Sequence, residues 1–187
     1  MIILADVDGV FADLVEGLCA ELRASGFDRK PEHFVHYDLT ECLGPEEMRI
    51  VLAAMASPGF CHALAWYEGA REFLRELSTL GEVHAVTAPF DGSSTWASER
   101  KAWLSSELPK KRVHSMAGEY KHMLRGDVLI EDHPQNACAW LEANEDGFAI
   151  LIDRPWNSPA AKEFWPHTRM IRARSFGEAL YTLKECA

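Results

Sequence analysis

At 187 residues, 48% apolar and 26% charged, the chain has ordinary globular composition, which excludes a disordered or fibrous polypeptide and fits one sizeable core with a small insertion. Nineteen basic against 29 acidic residues leave a formal charge of −10, a field that repels polyanions and sets duplex nucleic acid aside as a partner. No segment approaches the roughly 20 apolar residues needed to span a bilayer, so no membrane partner is expected.

In chain order, Ile2-Ile3-Leu4-Ala5 reads as a buried strand that delivers Asp6-Val7-Asp8-Gly9-Val10. Side chains alternate along an extended segment, so Asp6 and Asp8 share a side while Val7 opposes them. Aspartate and glycine are also ordinary turn residues, but two acids leaving a buried strand stand where open α/β sheets bind ligands. About 80 residues separate this segment from the Thr87 strand, far more than one crossover helix requires. An insertion over 12–66 is therefore expected, with a helix in 12–26, another starting at Gly44-Pro45-Glu46-Glu47, and a third element ending near Pro58.

Ala70, Phe73, Leu74, Leu77 and Leu80 mark one helix face, and Gly81 stops that helix. A strand at Val83–Val86 then reaches Thr87-Ala88-Pro89. Arg100, with Lys101, Trp103 and Leu104, falls on a helix and reads first as part of its solvated face, with contact to a phosphate as the other reading. Arg112–Met116 is a weaker strand, and Lys121 lies beyond it. Further strands at Val128–Ile130 and Phe148–Ile152 follow, the first ending in Glu131-Asp132-His133-Pro134. Ser175-Phe176-Gly177-Glu178 reads as a capping box opening a C-terminal helix with Phe176, Leu180 and Leu183 inward. Strands alternating with helices imply a doubly wound parallel α/β sheet covered on both faces.

The five cysteines form no C-x-x-C and leave an odd count, so they read as reduced thiols, and the N-terminal apolar stretch is too short and too soon charged for a signal peptide. A cytoplasmic protein is expected. The eight histidines show no spacing that argues for zinc.

The acidic pair Asp6 and Asp8, then Thr87, Lys121 and Asp132, resemble in order the four motifs of the haloacid-dehalogenase superfamily of phosphohydrolases, and more narrowly its 5'(3')-deoxyribonucleotidase branch. Pro58-Gly59-Phe60, Glu68-Gly69-Ala70 and the stretch from Ile150 to Asn157 are similar to parts of that branch. The resemblance implies a catalytic core of 1–11 and 67–187 with a small helical cap at 12–66. It also implies Mg²⁺ held by Asp6, the backbone carbonyl of Asp8 and Asp132. Asp6 would be the nucleophile of an aspartyl-phosphate mechanism, Asp8 the acid and then the base, and Thr87 and Lys121 the phosphate-binding pair. The implied substrate is a small phosphomonoester, a (deoxy)nucleoside monophosphate. Glu131 stands where relatives commonly have aspartate and Ala88 where they often have serine. Phe34, Tyr37, Phe60 and Trp66 are candidates for an apolar wall around a base. Asp153 and Asn157 receive no role from spacing. A phosphatase or phosphotransferase for another metabolite, and a non-catalytic phosphate-binding module, stay open at this stage.

Overall fold

The computed structural model describes residues 1–158 and 167–186; the side chain of Cys186 lies outside that description. Strands β1 (Ile2–Asp6), β2 (Glu82–Thr87), β3 (Val113–Ser115), β4 (Val128–Glu131), β5 (Phe148–Ile152) and β6 (Met170–Ala173) pair in parallel in the order β3-β2-β1-β4-β5-β6. The chain steps outward from β1 to β3, then restarts at β4 on the other side. That reversal between β1 and β4 is the switch point at which open α/β sheets form a ligand crevice. Asp6 lies opposite Val86 and Ala5 opposite Ile130, so Asp6, Thr87 and Glu131 all leave the sheet at the same end.

Alternation divides the strand residues between two cores. Ile3, Ala5, Val83, Ala85, Val128 and Ile130 face one core, packed with residues of α5 (Ala70–Leu80) and α8 (Phe176–Cys186). Leu4, Val86, Leu129 and Ala149 face the other, filled by Ala137, Trp140 and Leu141 of α7 (Pro134–Ala143). Near-continuous apolar strands are what burial on both faces demands. The structure thus has the doubly wound parallel sheet expected from the alternation. On α8, Ser175 Oγ accepts from Glu178 N at 3.1 Å and Glu178 reaches back to Arg174 N, while Ala179 and Leu183 form the buried centre of the inward face. Phe176 and Leu180 flank that centre, half-buried.

Four helices lie between β1 and α5: α1 (Leu14–Ala24), α2 (Leu39–Cys42), α3 (Pro45–Ala56) and α4 (Phe60–Ala63). Asp13 caps α1 by accepting from Glu16 N at 3.0 Å, and Pro45 opens α3 at the position where its missing N–H costs nothing. Arg29 grips Glu47 with two bonds of 2.5 and 2.8 Å. Val15, Leu18, Leu22, Phe34 and Val51 form a core of their own, joined by Trp156 from beyond β5. The chain leaves and re-enters at one place, where Asp13 N donates to Ala65 O and Tyr67 N to Phe11 O, both at 2.9 Å.

The sequence reading missed β6, a short edge strand with Ile171 exposed and Arg172 interrupting the apolar pattern. Among the described residues no helix is long and apolar enough to cross a membrane, and Cys19, Cys42, Cys61 and Cys138 are unpaired thiols.

At the other edge His84 Nδ1 meets His114 Nε2 at 2.9 Å, with Glu82 3.5 Å from His84 and also paired to Arg112. Burial first, then the His84 and Lys101 charges, hold the His114 pKa below its ordinary value. The unfolded chain therefore binds this proton more readily, and stability present above about pH 6.5 is lost as pH falls through the window below it. Between pH 7.5 and 5.5 the melting temperature of His114→Gln should fall less than that of the wild type. Parallel falls would count against the assignment.

Candidate active site

Asp6 is buried at the end of β1, where its Oδ1 accepts from Val7 N and pairs with Lys121 Nζ, each at 2.8 Å. Lys121 comes from a 3-10 turn, Gly118–Met123, and also donates to Glu131 Oε2 at 3.2 Å. Burial alone would lower the lysine pKa, but the Asp6 and Glu131 carboxylates outweigh it and raise it. The acids respond in the opposite sense. Burial first and Glu131 next push Asp6 up to about 7 against the pull of Lys121, and the same two causes raise Asp132. Asp6, Glu131 and Asp132 each bring an oxygen within 4.8 Å of the others. One ammonium cannot neutralise three buried carboxylates, so the oxygen-rich donor set fits a hard divalent cation.

Local contacts fix each acid. Glu131 is fully buried, and its Oε1 accepts from the backbone N–H groups of Asp132 and His133 at 3.3 and 3.2 Å. With Oε2 on Lys121, this side chain braces both the lysine and the loop after β4. Asp132 Oδ2 accepts from the Trp156 indole at 2.8 Å, and its carbonyl accepts from Asn157 Nδ2 at 2.6 Å. Asn157 thus holds the Asp132 backbone, and Asp153 pairs with Arg172 on β6. Gly9 completes the fit: at φ +79°, a Cβ there would lie 2.0 Å from Asp132 Oδ2. Its carbonyl accepts from Arg154 Nε at 2.6 Å.

Asp8 accepts from Arg100 Nη2 at Oδ1 and from Thr87 Oγ1 at 3.4 Å at Oδ2. Burial raises its pKa, with Arg100 as the main opposing influence. Arg100 corrects the sequence reading. It is 0% exposed on α6 (Trp96–Trp103), enclosed by Trp96 and Trp103 rather than solvated. The signal was present as spacing, since positions 96, 100 and 103 share one helix face and two of them are tryptophan.

Asp6, Asp8, Lys121 and Asp132 line a cavity of about 300 Å³, at the lower end of the size of small-molecule sites. Thr87 lies behind Asp8, fully buried, whereas Ala88 faces the cavity. Of the aromatic candidates, Phe34 and Tyr37 line it, Tyr37 stacking on His133 with centroids 3.7 Å apart. Phe60 and Trp66 lie outside the lining: Trp66 stacks on Trp103 at 3.8 Å and Phe60 packs between the two cores. Phe90, Trp96 and Trp156 take their place on the wall. None of the three was singled out from sequence, because each reaches the cavity from a loop or helix whose orientation only the fold supplies.

A family model described as 5' nucleotidase, deoxy (pyrimidine), cytosolic type C protein matches residues 1–181. Among solved structures, protein tyrosine kinase A of Mycobacterium tuberculosis superposes with a TM-score of 0.60 at 15% identity, covering 97% of each chain. A haloacid dehalogenase-like family hydrolase from Xanthomonas campestris gives 0.58 at 13% identity, over 99% of this chain and 95% of that one. The L-2-haloacid dehalogenase of Xanthobacter autotrophicus gives 0.55 at 11%, over 100% and 99%. At these identities the structural likeness establishes the shared fold.

Proposed function

The chain belongs to the 5' nucleotidase, deoxy (pyrimidine), cytosolic type C family of haloacid-dehalogenase-like phosphoric monoester hydrolases, and from that premise we propose a Mg²⁺-dependent, cytoplasmic phosphomonoesterase that hydrolyses (deoxy)nucleoside monophosphates through an aspartyl-phosphate. The observation that carries the reading is the convergence of Asp6, Asp8, Lys121 and Asp132 on the polar floor of one cavity whose walls are apolar.

In this mechanism the Asp6 carboxylate attacks phosphorus, the ester P–O bond breaks, and the departing alkoxide takes a proton from Asp8. Asp8, now a carboxylate, removes a proton from the water that attacks the acyl phosphate, releasing phosphate and restoring Asp6. Lys121 sets a fixed positive charge beside the nucleophile. Thr87 turns its hydroxyl from Asp8 toward a phosphoryl oxygen. Asp6, Asp132 and the backbone carbonyl of Asp8 would hold Mg²⁺, which supplies neutralisation of the phosphoryl charge. Burial first and the Glu131 carboxylate next raise the Asp6 and Asp132 pKa values, a cost that a bound cation would relieve.

Residues 12–66 act as a cap that sets substrate choice, because Leu14, Leu18, Phe34, Tyr37 and Met55 bring most of the apolar wall over the floor. Deoxynucleoside monophosphates should exceed sugar phosphates in kcat/KM across a phosphomonoester screen. Tyr37 gives the cleaner mutational test, since it is half-exposed whereas Phe34 is core to the helical insertion. Stacking a base on an aromatic ring contributes about 1–3 kcal/mol, so Tyr37→Ala should narrow the nucleotide preference about tenfold and leave nitrophenyl phosphate turnover nearly unchanged. Inert nucleotides beside another active metabolite would remove the nucleotide assignment.

A further inference from the structure

Arg100 has no part in the steps above, yet it makes the closest polar contact to Asp8. Its guanidinium is fully buried, 5.1 Å from the Trp103 ring centroid and 5.8 Å from that of Trp96. Nη2 reaches Asp8, while the buried Nε and Nη1 have no hydrogen-bond partner among the described residues. Taking a guanidinium out of water costs several kcal/mol, and one pairing with a partly exposed carboxylate, with most donors idle, is a poor return for stability. An apolar side chain of similar volume would pack better between the two indoles.

The scaffold around Arg100 is rigid where it matters. Trp103 donates its indole N–H to Leu64 O at 2.8 Å and stacks on Trp66. Glu99, the preceding residue, accepts from Gly59 N at 2.7 Å and His62 N at 3.1 Å, tying α6 to α4. The other contact to Asp8, the 3.4 Å bond from Thr87, is long and comes from a hydroxyl that phosphate would compete for.

We infer that Arg100 is the positioning residue for Asp8, holding its carboxylate by Oδ1 in the orientation from which Asp8 exchanges a proton with the ester and with water. The inference rests on the acid and base role of Asp8 given above. Arg100 meets the side-chain carboxylate of Asp8 and not the backbone carbonyl proposed for the metal, so its loss should act through the acid and base role of that carboxylate.

The test combines Arg100→Met, Arg100→Lys, Asp8→Asn and the double variant Asp8→Asn/Arg100→Met, with phosphoenzyme formation followed in single turnovers. Positioned proton transfer contributes about 10²–10⁴-fold, so Arg100→Met should slow reaction of a deoxynucleoside monophosphate about 10–100-fold. Nitrophenyl phosphate, whose leaving group needs little protonation, should slow less, KM should stay within about twofold, and the double variant should be no slower than Asp8→Asn. Arg100→Lys, which keeps the charge and is the fallback should Arg100→Met not fold, should show a smaller loss with the same dependence on leaving group. Additive slowing in the double variant, equal slowing of both esters, or a loss confined to KM would overturn the inference. Undiminished nucleotide turnover in Asp8→Asn would instead remove the Asp8 role on which it rests.

Discussion

Asp6→Asn should abolish turnover, by about 10⁴-fold or more, while leaving the protein at least as stable as the wild type. The two expectations have one physical origin. Asparagine keeps the oxygen that accepts from Val7 N, so the turn after β1 persists. It removes one of three clustered buried carboxylates, and the burial cost and Glu131 repulsion that push Asp6 up to about 7 are relieved. It also removes the only nucleophile on β1 that the proposed mechanism can use. A residue kept for folding would lose stability and activity together. Thermal melts and nitrophenyl phosphate turnover on the same preparation separate the two cases, and full activity in folded Asp6→Asn would exclude the mechanism.

Gly9→Ala should also be strongly damaging, although it changes no chemical group at the site. A left-handed backbone costs an ordinary residue about 1–2 kcal/mol, and here the new methyl also meets Asp132. At 2.0 Å from Oδ2 and 2.5 Å from Cγ, one partner must move. Asp132 cannot swing aside freely, because Trp156 holds that same oxygen and Asn157 holds the carbonyl. Displacing a group that orients a metal ligand typically costs about 10–100-fold in metal affinity or activity, and displacing the ligand itself should cost at least that. The Mg²⁺ concentration for half-maximal activity should rise accordingly, together with a lower urea midpoint. An unchanged Mg²⁺ requirement would show that Asp132 does not hold the ion.

The sheet was legible wherever a strand is buried on both faces, since such a strand reads as a near-continuous apolar run. Ile2–Ala5, Val83–Val86, Val128–Ile130 and Phe148–Ile152 all lie within observed strands. Edge strand β6 carries an exposed Ile171 and a paired Arg172, so it offers no such run. The floor of the site was visible because its acids leave strand ends, a position the chain marks by apolar residues followed abruptly by carboxylates. The walls and braces were harder to see. Trp156 meets Asp132 across 24 residues and Arg100 meets Asp8 across 92, contacts that only the folded topology creates. Phe60 and Trp66 show the converse, aromatic residues of the insertion that serve packing instead of the cavity.

The central claim is that phosphate passes through Asp6, and acid-quenched single turnovers with a deoxynucleoside monophosphate carrying a labelled phosphate test it most directly. In the presence of Mg²⁺ the account predicts transient label on the peptide containing Asp6, released by hydroxylamine as expected of an acyl phosphate and absent from Asp6→Asn. Turnover without covalent label at any time, or label on a different residue, would contradict it.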